Sequence, residues 1–205
     1  MKKLNIALLS SSLYVAAQLI ANVLSTKIAL IPFLNIAIDG GTIIYPLTFT
    51  LRDFVHKTWG KKNARQLVII AALLNLVMFF FFWLIGKLTP DPAWGNQAAY
   101  DAILLPVGRI VLASIIAQVI SELADTEIFS MIYKKMNDTW AVLFSNSASL
   151  IIDSLIFTVV AFLGSLPLVT VAQILISNIL VKFVISLISV PTIKLVPRLV
   201  EYDEM

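Results

Sequence analysis

The chain has 205 residues, of which 60% are hydrophobic and 13% are charged, and its net charge is +3. Soluble domains carry about 25% charged residues, so this composition excludes an ordinary soluble domain and indicates an integral membrane protein. The chain has no cysteine and one histidine. That composition excludes disulfides and thiolate metal sites, and it leaves a metal hydrolase without ligands.

Six apolar stretches are long enough to cross a membrane, which takes about 20 residues in a helix. They cover residues 5–24, 36–55, 67–86, 103–124, 140–163 and 168–190. Because these stretches use most of the chain, we expect a single integral membrane domain over residues 1–205. The predicted fold class is all-α, a polytopic bundle of six transmembrane helices.

Basic residues predict the orientation of this bundle. With the N-terminus inside, only Lys27 and Lys87 fall in outer loops. The positive-inside rule then places both termini in the cytoplasm. We interpret these cations as topology signals, so no nucleic-acid partner is expected. The inner set is Lys2, Lys3, Lys57, Lys61, Lys62, Arg65, Lys134, Lys135, Lys194 and Arg198.

The first two spans carry a packing signal and an interruption. Ala17 and Ala21 form a small-xxx-small pair, which permits close contact between helices. Residues 25–41 predict a bent or partly re-entrant outer segment. Tyr45 and Pro46 then interrupt the second span, and a proline at this place kinks a helix or frees a carbonyl.

Few polar residues occur at the end of the second span and in the third. Asp53 lies near the inner boundary, where it either pairs with Arg52 or Arg65 or contacts a solute. The third span has one polar side chain, Asn75, and an aromatic run at residues 79–83. This pattern predicts a wall that faces lipid, with an aromatic belt at its outer end.

The fourth span has a polar stripe on an apolar background. Ser114, Gln118, Ser121 and Asp125 are spaced by four, three and four residues, which places them on one helix face. Charged side chains in hydrocarbon cost several kcal/mol, so this face must point to protein or to a water-filled cavity. Arg109 lies on nearly the opposite face and needs a partner on another helix or a lipid headgroup.

The fifth and sixth spans each place a charge near their middle. Asn146 and Asp153 are in the fifth span, and Asn178 and Lys182 share a face of the sixth. Two isolated charges at this depth are hard to insert, but they become tolerable as an ion pair or as ligands of a substrate. Both interpretations remain open from the sequence.

Motifs of common enzymes are absent, including Walker A, dinucleotide-binding, HExxH and nucleophile-elbow patterns. We therefore expect no enzyme activity and no cofactor. Carboxylates, amides and cations that point into a helical bundle suit instead the binding of a small polar solute.

The chain resembles the queuosine precursor transporter family, also called VUT-type vitamin uptake transporters. The matching motifs keep their order and spacing from about residue 40 to 190. They are YPLTFTLRD from Tyr45, Gly60 with Ala64 and Arg65, Arg109 with Ala113 and Ser114, SNSASLIIDSLIF through Asn146 and Asp153, and KFVIS from Lys182. Lys57 departs from the family pattern, so no role is carried over for that position.

The resemblance implies import of 7-deazaguanine precursors of queuosine, the 7-cyano and 7-aminomethyl compounds, across a bacterial cytoplasmic membrane. A carboxylate accepts the adjacent N–H donors of a guanine-like edge, an amide or a cation donates to its carbonyl, and an aromatic ring stacks on it. Candidates for the first role are Asp153 and Asp125, for the second Asn146, Asn178, Lys182 and Arg109, and for the third Tyr45 and Phe157. Gln118 and Asp53 complete the set of predicted substrate-binding residues.

Three functional hypotheses remain open from the sequence. The first is a secondary transporter of a deazapurine, the second the substrate-binding subunit of an energy-coupling-factor importer, and the third a membrane scaffold or sensor. The pair Ala17 and Ala21 gives the second slight support, and energy-coupling subunits are its expected partners. The expected partners are the deazapurine and the lipid bilayer, with a homodimer as an open alternative.

Overall fold

The computed structural model describes the backbone of residues 5–133 and 138–189, and their side chains except at 61, 186, 189 and most of 122–146. Over these residues the chain forms seven α-helices, a two-stranded hairpin and a short 3₁₀-helix. The helices are α1 (Ile6–Leu24), α2 (Pro46–Trp59), α3 (Lys61–Gly86), α4 (Gln97–Leu104), α5 (Val107–Tyr133), α6 (Asp138–Phe162) and α7 (Leu168–Ser189).

Four helical segments in the described part of the chain are long and apolar enough to cross a membrane. They are Ile6–Leu24, Lys62–Gly86, Gln97–Ser121 and Leu168–Ile185, and Ser147–Phe162 is a shorter apolar helical segment. The fold is therefore mostly helical, as predicted, and its composition is that of a multi-pass membrane protein. Helices α3, α6 and α7 follow the third, fifth and sixth predicted spans, whereas α5 continues beyond the fourth, to Tyr133.

Helix α1 turns its polar side chains inward. The side chain of Asn5 caps its first turn by accepting a hydrogen bond from the Leu8 amide at 3.2 Å. Large apolar side chains such as Leu8, Leu13 and Ile20 are exposed. The buried residues recur every three or four positions and include four polar side chains: Ala7, Ser10, Tyr14, Ala17, Gln18, Ala21 and Asn22. This distribution suits a helix whose outer face meets lipid.

The second predicted span, residues 36–55, is wrong as a single helix. Strands β1 (Ile28–Ile31) and β2 (Ile36–Asp39) form an antiparallel hairpin, which a 3₁₀-helix at Gly40–Ile43 follows. Helix α2 begins at Pro46 rather than being kinked there, because proline at the first helical position lacks only an N–H that would have no partner in the helix. The bend predicted for residues 25–41 is this hairpin.

Two glycines let the end of the hairpin pack against the C-terminus of α1. A Cβ atom on Gly40 would lie 2.5 Å from the carbonyl oxygen of Leu24, and one on Gly41 would lie 2.5 Å from that of Ala21. Real Cβ atoms do not approach so closely, so a side chain at either position would push the 3₁₀-helix away from α1.

We expect Gly41→Ala to lower the stability of the purified protein by about 1–3 kcal/mol, the usual cost of overpacking a tight contact. Thermal unfolding in detergent, followed by tryptophan fluorescence, measures this effect. Gly95→Ala is the matched control, since a Cβ atom at Gly95 meets nothing within 4 Å. Equal unfolding temperatures for both variants would contradict the close contact.

Helix α3 agrees in part with the predicted lipid-facing wall. Phe80, Phe81 and Trp83 are 50%, 53% and 44% exposed, as such a wall requires. Asn75, in contrast, is buried and faces α1, where its side-chain oxygen accepts a hydrogen bond from Asn22 at 2.6 Å. Its own nitrogen donates to the Ala71 carbonyl at 2.9 Å. The single polar residue of this span therefore fixes α3 to α1.

Two hydrophobic clusters hold the helices around the interior. One joins the hairpin to α5, α6 and α7 through residues such as Ala37, Ile110, Phe162 and Ile174. Another joins α1, α2 and α3, with Tyr14 at its centre. Residues of both groups of helices then meet at a polar cavity.

Candidate functional site

A polar cavity lies between α1, the end of the hairpin, α2, α5, α6 and α7. It contains about 320 Å³ of space not filled by protein atoms, counting its open mouth. Its walls carry two carboxylates, one ammonium group and two aromatic rings. The lining residues are Ala21, Asn22, Ser25, Asp39, Gly41, Thr42, Tyr45, Ser114, Asp153, Phe157, Asn178 and Lys182.

An ion pair joins α6 to α7 in the cavity wall. The Nζ atom of Lys182 lies 2.6 Å from Oδ2 of Asp153, and both side chains are buried. Removing one partner of such a pair leaves an uncompensated charge in a dry interior, which costs about 3–5 kcal/mol. Of the two interpretations left open by the sequence, the structure shows the direct contact between these charges, and a role as substrate ligands stays a prediction.

Two aromatic rings flank the ammonium group of this pair. Its Nζ atom lies 5.1 Å from the centre of the Tyr45 ring and 5.9 Å from that of Phe157. Tyr45 also packs edge-on against Phe49, with ring centres 5.6 Å apart, and forms a side-chain hydrogen bond with Ser114. These contacts fix the Tyr45 ring at the cavity wall, where a flat solute could stack on it.

Asp39 forms the opposite acidic part of the cavity and was missed by the sequence analysis. Its side chain is 1% exposed and caps the 3₁₀-helix. Oδ1 accepts hydrogen bonds from the Ser25 hydroxyl at 2.7 Å and from the Thr42 amide at 3.2 Å, and Oδ2 accepts one from the Thr42 hydroxyl at 2.7 Å. All three of these donors are electrically neutral.

Asn178 links the two sides of the cavity. Its amide nitrogen donates to the Thr158 hydroxyl on α6 at 3.3 Å, and its side-chain oxygen contacts the Thr42 hydroxyl. Both Asn178 and Thr158 are fully buried. The amide therefore holds α7 to α6 and to the 3₁₀-helix, as buried polar groups require partners.

The structure brings five of the ten predicted binding residues to this cavity. Asp53 and Gln118 do not line it. Asp53 is partly exposed on α2, 4.0 Å from Nε of Arg52, which agrees with the interfacial pair predicted for it. The side chains of Asp125 and Asn146 lie outside the described residues. The five residues in the cavity are Tyr45, Asp153, Phe157, Asn178 and Lys182.

Arg109 does not line the cavity and instead caps the end of α6. Its guanidinium donates to the carbonyl oxygens of Val160 at 2.7 Å and Leu163 at 2.5 Å, and to the Ser165 hydroxyl at 2.5 Å. A cation at a helix C-terminus satisfies unpaired carbonyls and interacts favourably with the helix dipole. The prediction that Arg109 needs a partner on another helix is thus met by the turn that joins α6 to α7.

The residues that the sequence analysis missed come mainly from the bent segment predicted at residues 25–41 and from the start of the second predicted span. Asp39, Thr42 and Ser25 form one hydrogen-bonded group around the end of the hairpin. A usable signal was the sequence Asp39-Gly40-Gly41-Thr42, since an aspartate followed by glycines is typical of a capped turn rather than a helix interior. Asn22 was also missed, although a signal was present: Tyr14, Gln18 and Asn22 recur every four residues, which places them on one helix face.

Comparison with known proteins identifies relatives of this chain. The sequence profile described as "Putative vitamin uptake transporter" matches residues 39–196, from the Asp39 carboxylate to beyond α7. A curated protein of Bacillus subtilis, named "Probable queuosine precursor transporter", is 29% identical over 170 residues, which cover 80% of this chain and 73% of that protein. No solved structure was found to match the chain. With most of its length matched, including the five predicted residues in the cavity, this chain belongs to the vitamin uptake transporter family.

Proposed function

We propose that this chain imports 7-deazaguanine precursors of queuosine, the 7-cyano and 7-aminomethyl compounds, across a bacterial cytoplasmic membrane. The observation that carries this proposal is the buried pair of Asp153 and Lys182 between two aromatic rings. The name of the Bacillus subtilis relative supports the same solute class. We further propose that the chain works as a secondary transporter, without an ATPase.

The pair has the hydrogen-bonding pattern that complements a guanine-like edge. Such an edge places N–H donors beside a carbonyl acceptor. The Asp153 carboxylate accepts from the N–H groups, while the Lys182 ammonium donates to the carbonyl oxygen. A solute that replaces the contact between Asp153 and Lys182 gives each charge a new partner, so neither is left bare. Stacking on Tyr45 or Phe157 adds about 1–3 kcal/mol, by analogy with nucleobases.

Uptake by the purified chain in proteoliposomes tests this function. We expect labelled 7-cyano-7-deazaguanine to accumulate and unlabelled 7-deazaguanine to compete with it. A 7-deazaadenine competitor should have little effect, since adenine places an acceptor and a donor where guanine places a donor and an acceptor. Equal competition by both compounds would contradict recognition of the guanine edge.

The same experiment separates the transporter from its two rivals. Sustained uptake by the chain alone excludes a substrate-binding subunit that depends on an ATPase, and failure to bind any deazapurine favours a scaffold or sensor. The sequence support for the subunit weakens in the structure. Ala17 and Ala21 are 3% and 2% exposed and face the interior, so they present no surface to energy-coupling subunits.

We propose six membrane crossings with both termini in the cytoplasm, the second formed by the hairpin end together with α2. Reporter fusions test this orientation. A fusion after Gly60, between α2 and α3, should be cytoplasmic, and a fusion after Pro92, between α3 and α4, should be external. An external reporter at Gly60 would reverse the proposed placement of the basic loops.

A further inference from the structure

The cavity described above has an unequal number of positive and negative side chains. Its walls hold the carboxylates of Asp39 and Asp153 but a single cation, Lys182. Lys182 contacts Asp153 at 2.6 Å. Among the described residues no ammonium or guanidinium group forms an ion pair with Asp39. Lys27, the basic residue closest to it in sequence, is exposed.

In the part of the chain that the structure describes, electrically neutral groups alone surround the Asp39 side chain. The Ser25 hydroxyl and the Thr42 amide donate to Oδ1, and the Thr42 hydroxyl lies 2.7 Å from Oδ2 while it also contacts the side-chain oxygen of Asn178. A buried carboxylate with neutral donors alone still has an uncompensated charge, which is costly at membrane depth.

The C-terminus of α1 adds to the negative potential at this point. Helix α1 ends at Leu24, and its C-cap residue, Ser25, is itself a hydrogen-bond donor to Asp39. The close approach of Gly40 and Gly41 to carbonyl oxygens of the last turn brings this helix end against the carboxylate. Because a helix C-terminus carries a partial negative charge, it favours a cation beside it.

We propose that the end of the cavity formed by Asp39, Ser25, Thr42 and the C-terminus of α1 is a subsite for one monovalent cation. This inference rests on the proposed function, in which the cation has two sources. It is either the protonated amine of the 7-aminomethyl solute or a small inorganic cation, such as Na⁺, that accompanies the neutral 7-cyano solute. The shared chemistry is one positive charge held by the Asp39 carboxylate.

Binding measured at neutral pH distinguishes the two sources. The probes are the 7-aminomethyl and 7-cyano compounds, each in sodium chloride and in choline chloride, with the purified protein in detergent. A solute-borne cation predicts about tenfold tighter binding of the aminomethyl compound in choline chloride, within the usual range of coupling between bound groups. An inorganic cation predicts about tenfold tighter binding of the cyano compound in sodium chloride than in choline chloride.

Asp39→Asn tests whether the carboxylate is responsible. We expect the variant to reduce either difference to within about twofold, because the amide keeps the shape of the side chain but not its charge. Asp91→Asn is the matched control, an exposed loop aspartate whose carboxylate accepts a hydrogen bond from the Ala93 amide. It should leave both differences unchanged.

Three results would overturn the subsite. The first is equal binding of both compounds in both salts by the unmodified chain, a result that does not depend on whether the variant folds. The second is a difference that survives in a folded Asp39→Asn protein. If neither compound binds, the proposed function fails, and the subsite is then tested by thermal unfolding in methylammonium, sodium and choline chlorides. The third result is an unfolding temperature that neither methylammonium nor sodium raises above its value in choline chloride.

Discussion

Asp153→Asn is expected to abolish uptake of labelled deazapurine, with at least a hundredfold loss, and Lys182→Met should not restore it. In the single variant an amide donor faces the N–H donors of the solute, and the Lys182 ammonium loses the partner that lies 2.6 Å away. Each defect alone is worth about 3–5 kcal/mol, which corresponds to a hundredfold change or more. Adding Lys182→Met removes the bare charge but not the mismatch with the solute.

The double variant decides between a binding role and a structural role for Asp153. If the two charges only neutralise each other, their joint removal should be tolerated better than either single change, and transport should approach normal. Membrane protein levels measured in parallel separate poor insertion from poor binding. Asp53→Asn is the matched control. This aspartate of α2 does not line the cavity, so the variant should transport normally. Near-normal uptake by the double variant would remove Asp153 from the proposed binding site.

The long helices of this fold were predictable because each one must by itself be apolar enough to lie in lipid. A helix in lipid needs a long apolar run, and such runs are visible one segment at a time, as for α3 and α7. The hairpin was not predictable in this way. Strand β2 reads Ile-Ala-Ile-Asp and is as apolar as the helices around it, so a hydropathy average cannot separate it from a span.

Site residues were predictable from the sequence where a charge lies within an apolar span. They were not predictable where the charge belongs to a turn. Asp153 and Lys182 attract notice because an apolar span surrounds each of them. Asp39 lies at the boundary of a strand and a 3₁₀-helix, where an aspartate is unremarkable as a cap. The polar stripe on α5 correctly predicted which helix face points inward, but not how far along the helix the cavity extends. Its Ser114 reaches the cavity, whereas Gln118, one turn further on, does not.

The contacts of Arg109 show what helix spacing alone could not predict for that residue. Its three hydrogen bonds go to the last turn of α6 and to the turn that follows it, far along the sequence from Arg109 itself. Spacing within α5 correctly separated Arg109 from the face of Asp125, but it could not identify a partner more than fifty residues away. The structure therefore assigns Arg109 a capping contact.

Arg109→Met is expected to lower the free energy of unfolding by about 2–4 kcal/mol, less than the sum for three buried hydrogen bonds from a cation, because the side chain is exposed. Arg109→Lys should recover a minor part of this loss, since lysine keeps the charge but not the planar fork that reaches three acceptors at once. Thermal unfolding in detergent measures both effects. Arg65→Lys, at an exposed arginine on α3 without a side-chain hydrogen bond to any described residue, is the matched control.

Transport kinetics then separate the cap from a direct role in binding. Arg109 contacts the end of α6 and is not in the cavity wall. We therefore expect its variants to have an unchanged KM for the deazapurine and a smaller amount of folded protein. The comparison is made at a temperature at which each variant is folded, with uptake divided by the protein recovered in the liposomes. A rise in KM at unchanged stability would return Arg109 to the set of residues that contact the solute. An unchanged KM with a lower unfolding temperature would mean that Arg109 joins α5 to the end of α6 and does not contact the solute.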